Sequence, residues 1–277
     1  MPIVSLDHLT LFELTPPELV AVAAAAGWTH VGLRLNPAAP PGERQHPMIG
    51  DTPMRRETLA LMRDRNVAVF DFGVFRLKRG VDIAAFEPVL ESAATLGAGH
   101  AVVNGDEPDP QALADLLRRL CDLGSRYGIV MNLEATPWTG IPTLASAVRV
   151  VQACGHAGAR VMIDTIHVDR SNGTPADIAQ VPRELIAYVQ VCDGTGPRPT
   201  DFETMIYQAR NERGFPGEGN LDLAGMLATL PEDLPLSLEA PVRSLAAKLT
   251  PVERARRGRD AVDRLLAATA ARRRAAH

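Results

Sequence analysis

Short apolar segments alternate with longer amphipathic segments along the whole chain. The short segments are rich in Val, Ile and Leu, and those at Val67–Phe70 and Ile129–Leu133 are almost wholly apolar. Such runs are typical of strands in a parallel sheet that is covered on both faces. We predict β-strands at Ile3–Leu6, His30–Leu35, Val67–Val74, His100–Asn104, Ile129–Glu134, Arg160–Asp164, Tyr188–Cys192 and Leu236–Glu239.

The longer segments between these strands have apolar residues at helical spacing. Helix-ending glycines follow several of them, at Gly27, Gly97 and Gly128. The Arg-rich segment Val252–His277 also has helical spacing, so a solvated final helix is favoured over a nucleic-acid-binding arm. We predict the earlier helices at Pro17–Ala26, Met54–Arg65, Ile83–Leu96, Pro110–Tyr127, Leu144–Ala153 and Leu221–Leu230.

Eight strand–helix units in 277 residues indicate an α/β fold, a (β/α)8 TIM barrel that forms one domain over residues 1–277. No GxGxxG motif follows the first strand and no Walker-type loop occurs, so a dinucleotide-binding or P-loop fold lacks its motif. Two segments rich in Pro and Gly, Asn36–Pro53 and Asp193–Asn220, follow the second and seventh strands. They are predicted to lie at the carboxyl end of the barrel, where active sites form.

Composition and charge argue against several classes of partner and location. Charged residues make up 22% of the chain and the net charge is −4, so no basic surface indicates nucleic acid or an anionic membrane as a partner. The longest apolar-leaning run, Leu19–Trp28, is too short to span a bilayer, and no secretion signal is recognisable at Met1. Three cysteines without CxxC spacing are typical of reduced thiols in or near the core. We therefore expect a cytoplasmic protein whose partner is a small molecule; the oligomeric state is left open.

Polar side chains lie at the ends of the last four predicted strands. Glu134, Asp164, Gln190 and Glu239 each end or nearly end an apolar strand, and such side chains can point into a barrel active site. Three converging carboxylates would repel one another without a cation. Oxygen ligands suit Mg²⁺ or Mn²⁺ better than zinc. The sequence therefore predicts one divalent metal site made by these four residues.

Other residues near the strand ends are candidate substrate contacts. Arg76 follows the third strand, and Arg210 and Arg213 lie in the long segment after the seventh. Their guanidinium groups could hold a substrate carboxylate or phosphate through paired hydrogen bonds, with surface charge as the alternative. Trp138 could form an apolar wall beside the substrate or belong to the core. His167 is a candidate base, or a residue that orients a metal ligand.

The motifs of the second half resemble the xylose-isomerase-like superfamily of sugar isomerases, epimerases and related lyases. The resemblance lies in Asn132-Leu133-Glu134, Ile163-Asp164-Thr165-Ile166-His167, Tyr188-Val189-Gln190-Val191-Cys192-Asp193, Phe215-Pro216-Gly217-Glu218-Gly219-Asn220-Leu221-Asp222-Leu223 and Leu236-Ser237-Leu238-Glu239. It implies that Glu134, Asp164, Gln190 and Glu239 hold the metal. Gln at the third ligand position is similar to bacterial 3-dehydroshikimate dehydratases. The second strand departs from the pattern, because Gly32-Leu33-Arg34 stands where relatives often have a Glu.

The resemblance implies one activity and leaves an alternative. The first is a metal-dependent isomerase or epimerase of a sugar or polyol ketone, in which Glu134 and Glu239 hold the metal and move protons on opposite faces of the substrate. The alternative is a lyase of the dehydroshikimate dehydratase kind, with His167 as the base. A third possibility is a metal-free binding protein or a DNA-repair relative, although a DNA-repair member would need more histidines at the strand ends.

Overall fold

The computed structural model describes residues 2–35 and 44–275, and it has the predicted barrel architecture. Eight parallel strands close into a barrel in chain order, with the last strand paired to the first. All eight predicted strands are confirmed, with ends that move by at most three residues. The strands are β1 (Val4–Leu6), β2 (His30–Arg34), β3 (Ala68–Leu77), β4 (His100–Gly105), β5 (Val130–Glu134), β6 (Ala159–Asp164), β7 (Ile186–Val191) and β8 (Leu236–Leu238).

The predicted helices are confirmed as well, and several begin at a recognisable cap. The side chains of Thr52, Asp109 and Thr143 each accept a hydrogen bond from a backbone N–H in the first turn. The helices are α1 (Pro16–Ala25), α2 (Pro53–Arg65), α3 (Glu87–Thr95), α4 (Pro110–Ser125), α5 (Leu144–Cys154), α6 (Thr165–Arg170), α7 (Pro175–Ala179), α8 (Phe202–Asn211), α9 (Leu223–Ala228), α10 (Arg243–Ala246) and α11 (Pro251–Ala275).

Four of these helices, α6, α7, α8 and α10, were not predicted. Three are only four to six residues long, too short for a helical period to stand out in the sequence. The fourth, α8, lies inside the Pro/Gly-rich segment Asp193–Asn220, which gave a loop-like signal. In the other such segment, Asn36–Pro53, residues 36–43 lie outside the described part of the chain.

The main hydrophobic core lies between the outer face of the barrel and the helices. Leu6, Leu133 and Leu238 contribute to it from the strands and are fully buried. The barrel interior has a smaller apolar cluster of Phe70, Val102, Met162 and Tyr188. Strand residues alternate between these two environments, so polar residues that alternate with the outward leucines face the inside. This alternation places the candidate site.

The remaining structural predictions concern the cysteines, the final segment and membrane insertion. Cys121, Cys154 and Cys192 are free and buried, as predicted. The Arg-rich segment forms α11, and the Trp28 indole N–H donates to the backbone oxygen of Ala255 at 3.0 Å, which ties this helix to the loop after α1. Among residues 2–35 and 44–275, no helix is long and apolar enough to cross a bilayer. The cytoplasmic location stays a prediction.

Candidate functional site

The four residues predicted to bind metal lie at one end of the barrel. Glu134 ends β5, Asp164 ends β6, Gln190 lies one residue before the end of β7, and Glu239 directly follows β8. All four are at least nine-tenths buried. Glu134, Gln190 and Glu239 line a cavity of about 420 Å³. That volume is in the range of small-molecule sites in proteins.

Three groups form a compact cluster on the β5–β6 side of this cavity. His167 Nε2 lies 3.5 Å from a carboxylate oxygen of Glu134 and 3.6 Å from one of Asp164. The three ligand atoms lie within 4.8 Å of one another, close enough to hold one metal ion. Local structure fixes the spacing, because Asp164 caps α6 by accepting from the backbone N–H of Ile166 at 2.9 Å. His167 is then presented on the first turn of that helix.

Two buried polar atoms next to this cluster support a metal site. Among the described residues, Gln190 Oε1 and His167 Nδ1 have no hydrogen-bond partner. A buried polar atom without a partner costs about 1–3 kcal/mol, so a native protein usually satisfies it. Carboxylate, amide and imidazole groups are suitable ligands for a divalent cation. The residues present therefore fit a divalent metal, which Glu134, Asp164 and Gln190 would hold; the predicted set of these three residues with Glu239 stays a prediction.

Arg213 connects the remaining predicted ligand to the cluster. Its guanidinium nitrogens lie 2.8 Å from an oxygen of Asp164 and 2.7 Å from an oxygen of Glu239. It also donates to the backbone oxygens of Ala209 and Glu239, and its side chain is almost fully buried. Glu239 is thus tied to Arg213 in this structure. The predicted substrate contact of Arg213 stays a prediction.

The surroundings shift the pKa values of the three ionisable groups in the cluster in different directions. Burial, reinforced by the nearby charge of Asp164, raises the pKa of Glu134 to about 7. Burial also opposes ionisation of Asp164, but Arg213 and His167 outweigh it and hold the pKa of that carboxyl below its usual value. Burial lowers the pKa of His167 to about 4. Asp164 is therefore ionised at pH 7, and His167 is neutral.

The other predicted substrate contacts surround the mouth of the cavity. Arg76, Trp138 and Arg210 all line it. The Trp138 ring meets the His167 ring edge to face, with centroids 5.1 Å apart. Arg76 lies 3.5 Å from the carboxylate of Asp106. The structure thus brings every predicted site residue to one end of the barrel, and their contacts with substrate stay predictions.

Several residues that line the cavity were not predicted, and three of them are polar residues at or next to strand ends. Asn104, at β4, donates to Glu134 Oε2 at 2.6 Å and so fixes that carboxylate. Asp7, after β1, and Arg34, at the end of β2, line the cavity on the opposite side. All three lie at or next to the end of a strand, which is a signal in the sequence, but their strands carry no family motif.

The long segment after β7 is fastened to the barrel at both ends. The Asp193 carboxylate accepts from the backbone N–H groups of Gly194, Gly217 and Leu221 at 2.9–3.0 Å. The backbones of Asp193 and Gly214 also exchange two hydrogen bonds. Between these anchors, α8 contributes Arg210 to the cavity wall.

The chain belongs to the xylose isomerase-like TIM barrel family, whose model matches residues 20–265. The family resemblance inferred from the sequence is therefore confirmed. The family match covers both halves of the chain, including the first half, where the motifs were weak.

Two curated relatives carry the same name. The 3-dehydroshikimate dehydratase of Pseudomonas putida is 27% identical over 229 residues, which cover 78% of this chain and 34% of that protein. The 3-dehydroshikimate dehydratase of Pseudomonas aeruginosa is 33% identical over 135 residues, which cover 47% of this chain and 21% of that protein. The matched region is thus about a third or less of each relative's length.

The solved structures agree on the fold. A xylose isomerase-like TIM barrel/4-hydroxyphenylpyruvate dioxygenase fusion protein superposes with a TM-score of 0.80 at 24% identity. The superposition covers 98% of this chain and 44% of the fusion protein. At this identity the similarity supports the barrel architecture alone.

Proposed function

We propose that the protein is a divalent-metal-dependent dehydratase that acts on 3-dehydroshikimate or a closely similar polyhydroxylated ring ketone. The observation that carries the proposal is the Glu134–Asp164–His167 cluster beside the unpartnered amide oxygen of Gln190. The two curated relatives supply the substrate class, since both are 3-dehydroshikimate dehydratases.

The residues of the cluster have complementary tasks in such an elimination. A neutral imidazole such as His167 can accept the proton next to the ketone. Asn104 fixes the Glu134 carboxylate at 2.6 Å, and Arg213 fixes Asp164 at 2.8 Å, so both carboxylates are positioned in advance. A bound divalent cation would stabilise the negative charge that develops on the carbonyl oxygen during proton removal. The Trp138 ring meets the His167 ring edge to face and would form an apolar wall beside it.

The direct test follows the aromatic product. Loss of water from 3-dehydroshikimate followed by enolisation gives 3,4-dihydroxybenzoate, whose aromatic absorbance can be recorded continuously. We expect product with Mn²⁺ or Mg²⁺ and none after chelation, with activity restored by adding metal back. The Glu134→Gln variant is the control for contaminating activity. Absence of product with every divalent metal tested would refute the proposed reaction.

A second candidate is an isomerase or epimerase of a sugar or polyol ketone. Glu134 and Glu239 both line the cavity, which is the arrangement that proton transfer on two substrate faces requires. Against it, Glu239 is bound by Arg213 at 2.7 Å, so one of the two bases is already engaged. Deuterium uptake from heavy water next to the ketone of a ketose, without loss of water from the substrate, would support this candidate over the dehydratase.

A further inference from the structure

The cavity that contains the metal candidates has a strongly cationic wall. Arginines contribute to it from four separate parts of the barrel mouth. Their guanidinium groups differ in burial and in the contacts that the described residues provide. These arginines are Arg34, Arg76, Arg210, Arg213 and Arg243.

Four of the five lie at the rim or are tied to other groups. Arg213 is buried between Asp164 and Glu239. Arg76 is drawn towards Asp106, and Arg243 lies exposed over the Phe12 ring, with its guanidinium 4.6 Å from the ring centre. Arg210 is exposed on α8. Arg76 is also partly buried, but its ion pair is with Asp106; a partly buried guanidinium that pairs with a predicted metal ligand is the remaining case.

Arg34 has that position. Its side chain is 21% exposed, and its guanidinium lies 3.9 Å from a carboxylate oxygen of Glu239, on the side opposite Arg213. The backbone is held firmly, because Arg34 pairs with Gly73 of β3 and its N–H donates to His8 Nδ1 at 3.3 Å. A side chain on a strand is positioned more precisely than one on a loop.

The charge of Arg34 acts at the centre of the site. Arg34 lines the same cavity as Asp7, Glu134 and Gln190. Its positive charge opposes the rise that burial causes in the pKa of Asp7. A guanidinium presents two parallel N–H donors, and this geometry matches a carboxylate.

We infer that Arg34 binds the carboxylate of the substrate and thereby makes the site selective for ring ketones that carry an acid group. The inference rests on the proposed dehydratase function and adds to it a residue that decides between substrates.

The test compares two ligands that differ only in the carboxylate. The probes are 3,4-dihydroxybenzoate and catechol, which share the adjacent hydroxyls, and calorimetry is done on the Mn²⁺-loaded protein. We expect the wild type to bind dihydroxybenzoate at least about tenfold more tightly than catechol, since a charge-assisted pair of hydrogen bonds is worth that much. Arg34→Gln should bring the ratio close to one by weakening dihydroxybenzoate alone, and Arg34→Lys should keep part of the preference.

Controls separate this inference from the proposed function. Arg126→Gln removes an arginine that is 62% exposed and lies outside the cavity, so it should leave the ratio unchanged. A preference that survives in Arg34→Gln, or equal binding of both probes by the wild type, would overturn the role of Arg34 and leave the dehydratase proposal standing. Binding of neither probe by the wild type would overturn both. Thermal unfolding checks that each variant is folded, and Arg34→Lys decides the matter if Arg34→Gln is not.

Discussion

The two halves of the barrel mouth are built differently. On the β5–β8 half, Glu134, Asp164 and Glu239 are locked by a buried network that includes Arg213. On the β1–β3 half, Asp7 and Arg34 face the cavity, and the absence of a side chain at Gly32 lets the carboxylates of Asp7 and Asp71 approach its backbone closely. In the proposed enzyme, the first half would hold the metal, whereas the second half would set the shape and charge that a substrate meets.

The largest effect on stability should come from removing the Arg213 guanidinium from the buried network of the β5–β8 half. Arg213→Leu leaves two buried carboxylates without their cation, so we expect a loss of about 3–5 kcal/mol in the free energy of unfolding of the metal-free protein. Urea unfolding after chelation measures it. Arg198→Leu removes a half-exposed ion pair on the same long segment and should cost at most about 1 kcal/mol. Equal losses in the two variants would show that the Arg213 network is not the stabilising element.

The second effect concerns turnover. Glu134→Gln keeps the shape of the side chain but removes its charge, and we expect turnover to fall at least about a hundredfold, because the cation that would stabilise the developing charge loses a carboxylate ligand. Steady-state rates with 3-dehydroshikimate measure it, with metal content checked by elemental analysis. The fold should persist, because Glu134 lies at the mouth of the barrel. Near-normal rates with metal bound would remove Glu134 from the chemistry.

The third test adds a methyl group at Gly32 on the β1–β3 half, where two carboxylates lie close to the backbone. A Cβ atom at Gly32 would lie 2.3 Å from Asp71 Oδ1 and 2.9 Å from Asp7 Oδ2. Gly32→Ala should therefore destabilise the protein by about 1–3 kcal/mol through overpacking. The double variant with Asp71→Ala should recover most of that loss. The control is Gly99→Ala, where the added methyl group meets nothing within 4 Å. No recovery in the double variant would mean that Asp71 is not the obstacle.

The smallest expected effect is a pH dependence of the free energy of unfolding, which arises from Asp71 on the β1–β3 half. Burial, helped by the charge of Asp7, raises the pKa of Asp71 to about 8. The folded state then keeps a proton that the unfolded state releases near pH 4, so stability falls as pH rises from about 4 to about 8. Asp71→Asn cannot titrate, and the wild type should lose at least about 1 kcal/mol more than this variant between pH 5 and pH 8. Parallel stability curves would contradict the buried neutral acid.

The barrel could be predicted from sequence because its signal is repeated eight times. Apolar strands such as Ile129–Glu134 are recognisable alone, and errors at their ends do not change the topology. Short helices such as α6 could not be predicted, since six residues contain less than two helical turns and Asp164 reads as a strand end until its capping bond is seen.

The site was predicted less completely than the fold, for a physical reason. Glu134 and Asp164 are recognisable because each ends an apolar strand. The pairing of Arg213 with two of the predicted ligands depends on how the segment after β7 returns to the barrel, and local sequence does not encode this return. Arg34 and Asp7 belong to strands without a family motif, so only the closure of the barrel brings them opposite β5 and β6.

The double anchoring of the segment after β7 determines which part of the cavity wall can change in sequence. The Asp193 carboxylate accepts a backbone hydrogen bond from Gly194 at the start of the segment and two more from Gly217 and Leu221 at its end. The residues between these anchors can therefore change without loss of the anchoring bonds. Changes in α8 would alter the part of the cavity wall that includes Arg210, and they would also act on Arg213, because its side chain donates to the backbone oxygen of Ala209 in α8. The backbone bond from Arg213 to Pro241 at 2.8 Å lies outside α8 and would persist. In the proposed enzyme, such changes would reach the substrate pocket without replacing a predicted metal ligand.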